Sequence, residues 1–382
     1  MAPTQTGMQI LSSLQADIWH NLKEPGSYEW WYFDAITHDE RYSIVAIWFS
    51  GFPFSPYYLQ RLRTWKRNGS KPNSYHGAFP NPLEHTAFSF SLYADGAEVL
   101  NFIKEGDATF FEASLETPFA RFEQNWFAYD ELRNRFVLHI EFEMPARRKR
   151  VRAGLYFTPR IELAEDFGEL SSGTGEHTWV LVAPSMDVCG TVEVWDGLKS
   201  EHYNIAFHGN GYHDHNFGRV PMDTDIENWY WGRAHSKKYD LVYYIISYKD
   251  EQRKPFTFLY LTENGKTIIL KNCLSITEHE LEQNLISPRY GKRLTMDSDS
   301  CHFSIEHLKG LDIGPFYMRF YSRFVLKLEN GRGVVMTGIS EFLHPERLAS
   351  GLVQNLVKSK VLRAGRLSMM YTLYNFFNRF LE

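Results

Sequence analysis

The sequence predicts an all-β protein of two domains with a helical tail. Short runs of β-branched and aromatic residues follow one another at fairly even spacing, and Gly, Asn, Asp and Pro punctuate them. Helical periodicity is nearly absent before residue 345. Such a series forms a sandwich or an up-and-down barrel, and the barrel removes exposed strand edges by closure. At 382 residues the chain exceeds one ordinary core, so two domains are expected.

After a leader over residues 1–27, the run Glu29 to Ala35 opens the first strand, and Tyr42 to Ser50 is its hairpin partner. Further strands are expected at 86–93, 98–104, 119–122, 135–142 and 152–158, with turns at Asp95-Gly96, Gly106-Asp107 and Pro145. These fill a first domain placed at 28–190. A second set follows at 177–182, 190–195, 203–207, 229–235, 241–248, 255–262, 267–272, 300–305, 317–329 and 333–342. Most of it falls in a second domain at 191–345, where Asn264-Gly265 and Asn330-Gly331 favour tight hairpins. No Pro/Ser-rich linker separates the halves, so they are expected to share a wall.

The tail at 346–382 changes pattern. Leu352, Leu356, Val357, Leu367, Met370, Tyr371, Leu373, Tyr374, Phe377 and Phe380 recur at spacings near three and four, and Lys358, Lys360, Arg363, Arg366 and Arg379 add positive charge. Two placements suit a basic amphipathic helix of this kind: the interface of a membrane, as a peripheral contact, or the surface of its own barrel.

Composition narrows the function. A net charge of −5 and a pI near 6.3 argue against a nucleic-acid partner, and the cluster Arg147 to Arg150 with Arg152 reads as a solvated hairpin. Three cysteines without Cys-x-x-Cys spacing argue against a disulfide framework or zinc knuckle. The first twenty residues lack the pattern of a signal peptide, and no apolar window is long enough to span a bilayer. The expectation is a cytoplasmic protein, soluble or peripheral to a membrane. Aromatics at 16% exceed what core filling requires, which favours an aromatic-lined cavity or barrel interiors packed with large rings.

The stretch His208 to Gly218 carries the densest chemistry, with one carboxylate, three histidines and a tyrosine among three glycines. These groups are costly to bury without partners, so a strand built only to fill a core would not hold them. The plain alternative is an exposed polar turn. In an extended backbone, Asp214 points to one face while His213 and His215 point to the other, and with Tyr212 beside it Asp214 can be a buried acid held by hydrogen bonds. A metal site built on His208, His213 and His215 lacks a supporting His-Glu-x-x-His or cysteine pair. A nucleophilic site lacks its Gly-x-Ser-x-Gly elbow, and a phosphate cradle lacks the Lys-Ser/Thr that would follow Gly209-Asn210-Gly211. General acid chemistry remains. An aspartic acid in an apolar, aromatic pocket stays protonated near neutral pH because its charged form is desolvated.

Four segments together resemble one family: Glu29-Trp30-Trp31-Tyr32-Phe33-Asp34, His177-Thr178-Trp179, Gly211 to Gly218, and Trp229-Tyr230-Trp231-Gly232-Arg233. They are similar to the carotenoid 1,2-hydratases, also called hydroxyneurosporene synthases, which group with lipocalin-like proteins that include fungal Diels-Alderases of decalin-forming pathways. The resemblance spans residue 28 to about 345, and Phe217 stands where the family's motif usually carries Trp. It implies two lipocalin-like β-barrel domains with the ligand site where they meet. It also implies that the hydratase's essential His, Trp, Tyr and Asp correspond to His177, Trp179, Tyr212 and Asp214.

These residue types suffice for a mechanism without cofactor or metal. Neutral Asp214 protonates an isolated alkene, Tyr212 sets its position, Trp179 faces the tertiary cation, and His177 orients or deprotonates water. Trp31, His213, His215, Phe217, Trp229 and Trp231 are candidates for substrate contact, although barrel core is the better reading for both Trp30 and Trp31. The expected partner is a hydrophobic small molecule: a polyene, terpenoid or polyketide. Three functions fit: a hydratase acting on a long isoprenoid or polyene, a cofactor-free cyclase or pericyclase, and a non-catalytic lipid or pigment carrier.

Overall fold

The computed structural model describes residues 8–69, 79–160, 177–263, 266–271, 274–299, 301–328, 333–365 and 368–378. Its strands form two curled sheets of 13 and nine strands. Compact unit 1 comprises residues 1–95, 99–222 and 354–382, and unit 2 comprises 96–98 and 223–353.

The larger sheet contains β1 (Met8–Leu11), β2 (Tyr28–Thr37), β3 (Tyr42–Ser50), β4 (Thr86–Ala94), β5 (Ala97–Gly106), β6 (Phe111–Ala113), β7 (Phe119–Phe122), β8 (Asn125–Asp130), β9 (Arg135–Met144), β10 (Lys149–Pro159), β11 (His177–Asp196) and β12 (Glu201–Gly218). Unit 2 holds β13 (Ile226–His235), β14 (Tyr239–Tyr248), β15 (Phe256–Glu263), β16 (Lys266–Lys271), β17 (Ser275–Glu282), β18 (Tyr290–Ser298), β19 (Cys301–Ile313), β20 (Tyr317–Leu328) and β21 (Gly333–Leu343). A last short strand, β22 (Val361–Arg363), pairs in parallel with β5 and completes the larger sheet.

Strand β12 is central in that sheet, running antiparallel to β2 on one side and β11 on the other. Its length explains a difference from the sequence reading. The runs at 177–182 and 190–195 are one strand of 20 residues, and the run at 203–207 continues through the polar stretch to Gly218. The polar side chains of Tyr212 to Asn216 are buried and bonded, so they extend the strand rather than end it, while His208 is exposed. Residue 190, the expected domain boundary, lies inside β11, and the chain passes to unit 2 after Met222.

Six strands, β1, β6, β8, β17, β18 and β22, and one helix escape the pattern. Strand β17 is polar and mostly exposed, and β18 carries mixed charges. Helix α1 (Pro56–Arg67) buries only Pro56, Tyr58 and Leu62, and begins where Ser55 Oγ accepts the amides of Tyr57 and Tyr58. The basic hairpin between β9 and β10 forms as expected, and Arg150 and Arg152 pair with Glu141 near solvent. Arg147 and Lys149 are buried instead: Arg147 Nε donates to Asn375 Oδ1 at 2.9 Å, and Lys149 Nζ lies 3.6 Å from Asp196.

The tail is two short helices, α2 (Gly351–Lys360) and α3 (Met369–Asn378), on either side of β22. It docks on unit 1 through β22, through Arg363 to Glu105 at 2.7 Å, and through buried Tyr371. Met369, Met370 and Leu373 of α3 nonetheless face solvent. Leu367, Arg366, Arg379 and Phe380 lie outside the described residues. Among the described residues no helix is long and apolar enough to cross a membrane.

Candidate functional site

Alternation along β12 and its ladders with β2 and β11 sort the site residues onto two faces. Cross-strand partners share a face, so Tyr212, Asp214, Asn216 and Gly218 stand with Tyr28, Trp30, Tyr32 and Asp34 of β2 and with His177 and Trp179 of β11. The opposite face carries His213, His215 and Phe217 with Glu29, Trp31 and Phe33, and it belongs to the core of unit 1. The β11–β12 ladder shifts register twice between Val180 and Met186, just beyond Trp179. Such irregularities are common where a sheet aims side chains at a site.

Asp214 is buried at 4% exposure and bonded on both oxygens. Trp179 Nε1 donates to Oδ2 at 2.9 Å and Tyr212 Oη donates to the same oxygen at 2.7 Å. Asn216 Nδ2 donates to Oδ1 at 2.9 Å. All three donors are uncharged. A second Tyr-x-Asp pair lies across the ladder, where Tyr32 Oη donates to buried Asp34 at 2.9 Å, and the rings of Tyr32 and Tyr212 meet edge to face at 6.1 Å.

His177 is buried on the same face, with its Nδ1 2.8 Å from Tyr28 Oη. Burial disfavours the imidazolium and holds the pKa down to about 3, so the ring is neutral at ordinary pH. Gly218, directly opposite His177, makes this contact possible: a Cβ there would lie 2.5 Å from the Tyr28 hydroxyl. Trp30 stacks on Tyr28 at 5.4 Å and lies 6.1 Å from His177, with Phe54 beyond it at 6.3 Å. An aromatic wall therefore runs alongside the histidine.

The fold thus gathers Asp214, Tyr212 and Trp179 into one bonded cluster and sets His177 on the same face. It places Trp31, His213, His215 and Phe217 on the other side of the strand, inside unit 1, because side chains one residue apart cannot share a face. Trp31 stacks on His215 at 4.5 Å, Phe217 on His20 at 3.8 Å, and Phe33 on His213 at 3.8 Å. Trp229 and Trp231 are buried in unit 2, on the face of β13 opposite its core residues Tyr230 and Ala234. Sequence reasoning missed Asn216, Tyr28 and Asp34. Their signal was two-residue spacing from Asp214, Trp30 and Tyr32.

The carotenoid hydratase CrtC family model matches residues 46–370. The chain belongs to that family. It is 39% identical over 379 residues, covering 98% of this chain and 97% of the relative, to a hydroxyneurosporene dehydrogenase from Chlorobaculum tepidum. An acyclic carotenoid 1,2-hydratase from Rubrivivax gelatinosus is 29% identical over 55% of this chain and 45% of its own. Two solved structures share the fold: a putative AttH from Nitrosomonas europaea (TM-score 0.54, 14% identity, 86% and 94% coverage) and CghA with Sch210972 (TM-score 0.54, 11% identity, 84% and 89% coverage). Membership in the carotenoid hydratase CrtC family supports a hydratase-type enzyme acting on carotenoids, and hence a hydrophobic small-molecule substrate.

Proposed function

We propose that this protein adds water across a C=C bond of an acyclic carotenoid without a cofactor, and that Asp214 supplies the proton. The observation that carries this reading is the buried carboxyl with three neutral donors. Trp179 and Tyr212 fill both lone pairs of Oδ2, so a proton held by the acid sits on Oδ1. The alkene takes that proton on carbon and becomes a tertiary cation, while Asp214 becomes a carboxylate. The same donors then stabilise the charge that develops on Asp214, already oriented before the reaction starts.

Water attacks the cation from its other side and forms the C–O bond. His177 orients that water. With its pKa held down by burial it is too weak a base to keep the proton, which returns to the Asp214 carboxylate and regenerates the acid. The indole face of Trp179 lies beside the cation, an attraction worth about 0.5–2 kcal/mol. Trp30 adds a second aromatic surface near His177. Trp31, His213, His215 and Phe217 support the strand from inside rather than touch substrate. The solvent-facing edge of α3, with Met369, Met370 and Leu373, is where the protein would meet a bilayer that holds its substrate.

Incubation with an acyclic carotenoid in D2O tests the reading. The expected product gains one hydroxyl and one carbon-bound deuterium that does not exchange back. A product of unchanged mass would support a cyclase instead, and recovery of unaltered, tightly bound ligand would support a carrier.

A further inference from the structure

Behind Asp214, on the inner face of the same strand, five titratable groups form a chain. His20 Nδ1 lies 2.8 Å from Glu29 Oε1, and His215 Nε2 lies 3.0 Å from the same oxygen. His215 Nδ1 is 3.3 Å from Asp17 Oδ1, and Asp17 Oδ2 is 2.9 Å from His213 Nε2. His213 Nδ1 closes the chain on the carbonyl of Tyr32 at 3.0 Å. Imidazoles and carboxylates strictly alternate. Asp17, Glu29, His213 and His215 have no measurable exposure, and only His20 reaches the surface.

A hydrophobic core does not need such a chain, since apolar residues of similar volume are often as stabilising or more so. Its place suggests what it is for. His213 and His215 are the two neighbours of Asp214 in sequence, and Asp17 and His20 come from the segment between β1 and β2. That segment is tied down independently: Trp31 Nε1 donates to the Asp17 carbonyl at 3.1 Å and Trp19 Nε1 to Ser50 Oγ at 3.1 Å. The rings of Trp31, Phe33, Phe127, Phe136 and Phe217 also pack against the two histidines. A one-residue slip of β12 would drive two imidazoles out of this chain and bring Asp214 into the core.

We propose that Asp17, Glu29, His213 and His215 are positioning residues, which lock the register and orientation of the strand that presents Asp214. This rests on the reading of Asp214 given above for its kinetic consequence, but not for its structural one. The charge state agrees with a locked chain. Burial opposes ionisation of Asp17 and Glu29, yet the facing histidines hold both carboxyls below their ordinary values. Burial likewise opposes the His215 imidazolium, and the facing carboxylates of Asp17, an ion pair without a hydrogen bond, and of Glu29 carry it up to about 9.

Hydrogen exchange at amides 212–216 and steady-state turnover of an acyclic carotenoid, both on the full chain, test the proposal. Asp17→Ala is expected to speed exchange at these amides at least 10-fold and to lower kcat at least 10-fold with KM within twofold. Asp17→Asn keeps an acceptor for His213 and is expected to recover most of both losses. If Asp17→Ala does not fold, Glu29→Ala, which removes the acceptor shared by His20 and His215, should show the same local acceleration. Unchanged exchange in the variant that folds would overturn the proposal, as would equal kcat losses in Asp17→Ala and Asp17→Asn. His20, Glu29 and His215 also place donor atoms within 4.8 Å of one another, as a metal would require. Stoichiometric Zn2+ uptake that Glu29→Gln abolishes would overturn a purely hydrogen-bonded lock. If the wild type hydrates no carotenoid, the functional reading fails while the exchange data still decide the lock.

Discussion

The two faces of β12 handle buried charge in opposite ways. On one, the Asp214 carboxyl accepts from a tryptophan, a tyrosine and an asparagine, all of them uncharged donors. On the other, two carboxylates are interleaved with three imidazoles at 2.8–3.3 Å. Neutral donors leave a group free to gain and lose a proton during a reaction. A charged chain fixes its protons, because moving one leaves a buried charge unmatched. A one-residue change of position thus separates the proposed acid from the residues proposed to hold the strand.

Substitutions on each face should break this contrast differently. Asp214→Asn keeps the shape and one acceptor but removes the transferable proton. Turnover should fall by about 10³-fold or more while carotenoid binding, read by absorbance titration, stays within a few-fold. A next largest effect separates the faces by pH. His177 is neutral when folded, held down to about 3 from an ordinary 6.5, so its burial costs stability as pH falls from 6.5 toward 3. His215 is raised to about 9, so its contribution is complete below 6.5 and is lost as pH rises through 9. In urea denaturation at pH 4, 7 and 10, His177→Gln should flatten the acid limb and His215→Gln the alkaline limb, each on the order of 3 kcal/mol.

Removing one donor from the outer cluster is a smaller test. Trp179→Phe keeps an aromatic ring but takes away one hydrogen bond to Oδ2, and kcat should drop roughly 10²-fold with little change in KM. The smallest effect is expected far from both faces. Leu373→Ser with Met370→Ser on α3 should weaken co-sedimentation with lipid vesicles a few-fold, while turnover of detergent-dispersed carotenoid is unchanged.

Much of this contrast was legible in the sequence because strand alternation is local. Tyr212 and Asp214 had to share a face, and His213 and His215 had to oppose them. The expected strands at 42–50, 119–122 and 229–235 also match the observed elements closely. What alternation cannot supply is the partner from elsewhere in the chain. Asp17 and His20 sit in a leader with no strand pattern, and nothing local marks them as the other half of a chain through His213 and His215. The same limit hid α1, whose apolar face is three residues wide, and β17, whose side chains are mostly solvated. It also let the run near residue 190 pass for a boundary, when Gly190 lies within an unbroken strand paired on both sides.

The central claim is that Asp214 carries a proton it can hand to substrate. Infrared difference spectra of wild type against Asp214→Asn at pH 7 test this most directly. The account predicts a protonated carboxylic C=O band that is present in the wild type, shifts in D2O and is missing from the variant. A difference spectrum with only carboxylate bands would contradict it.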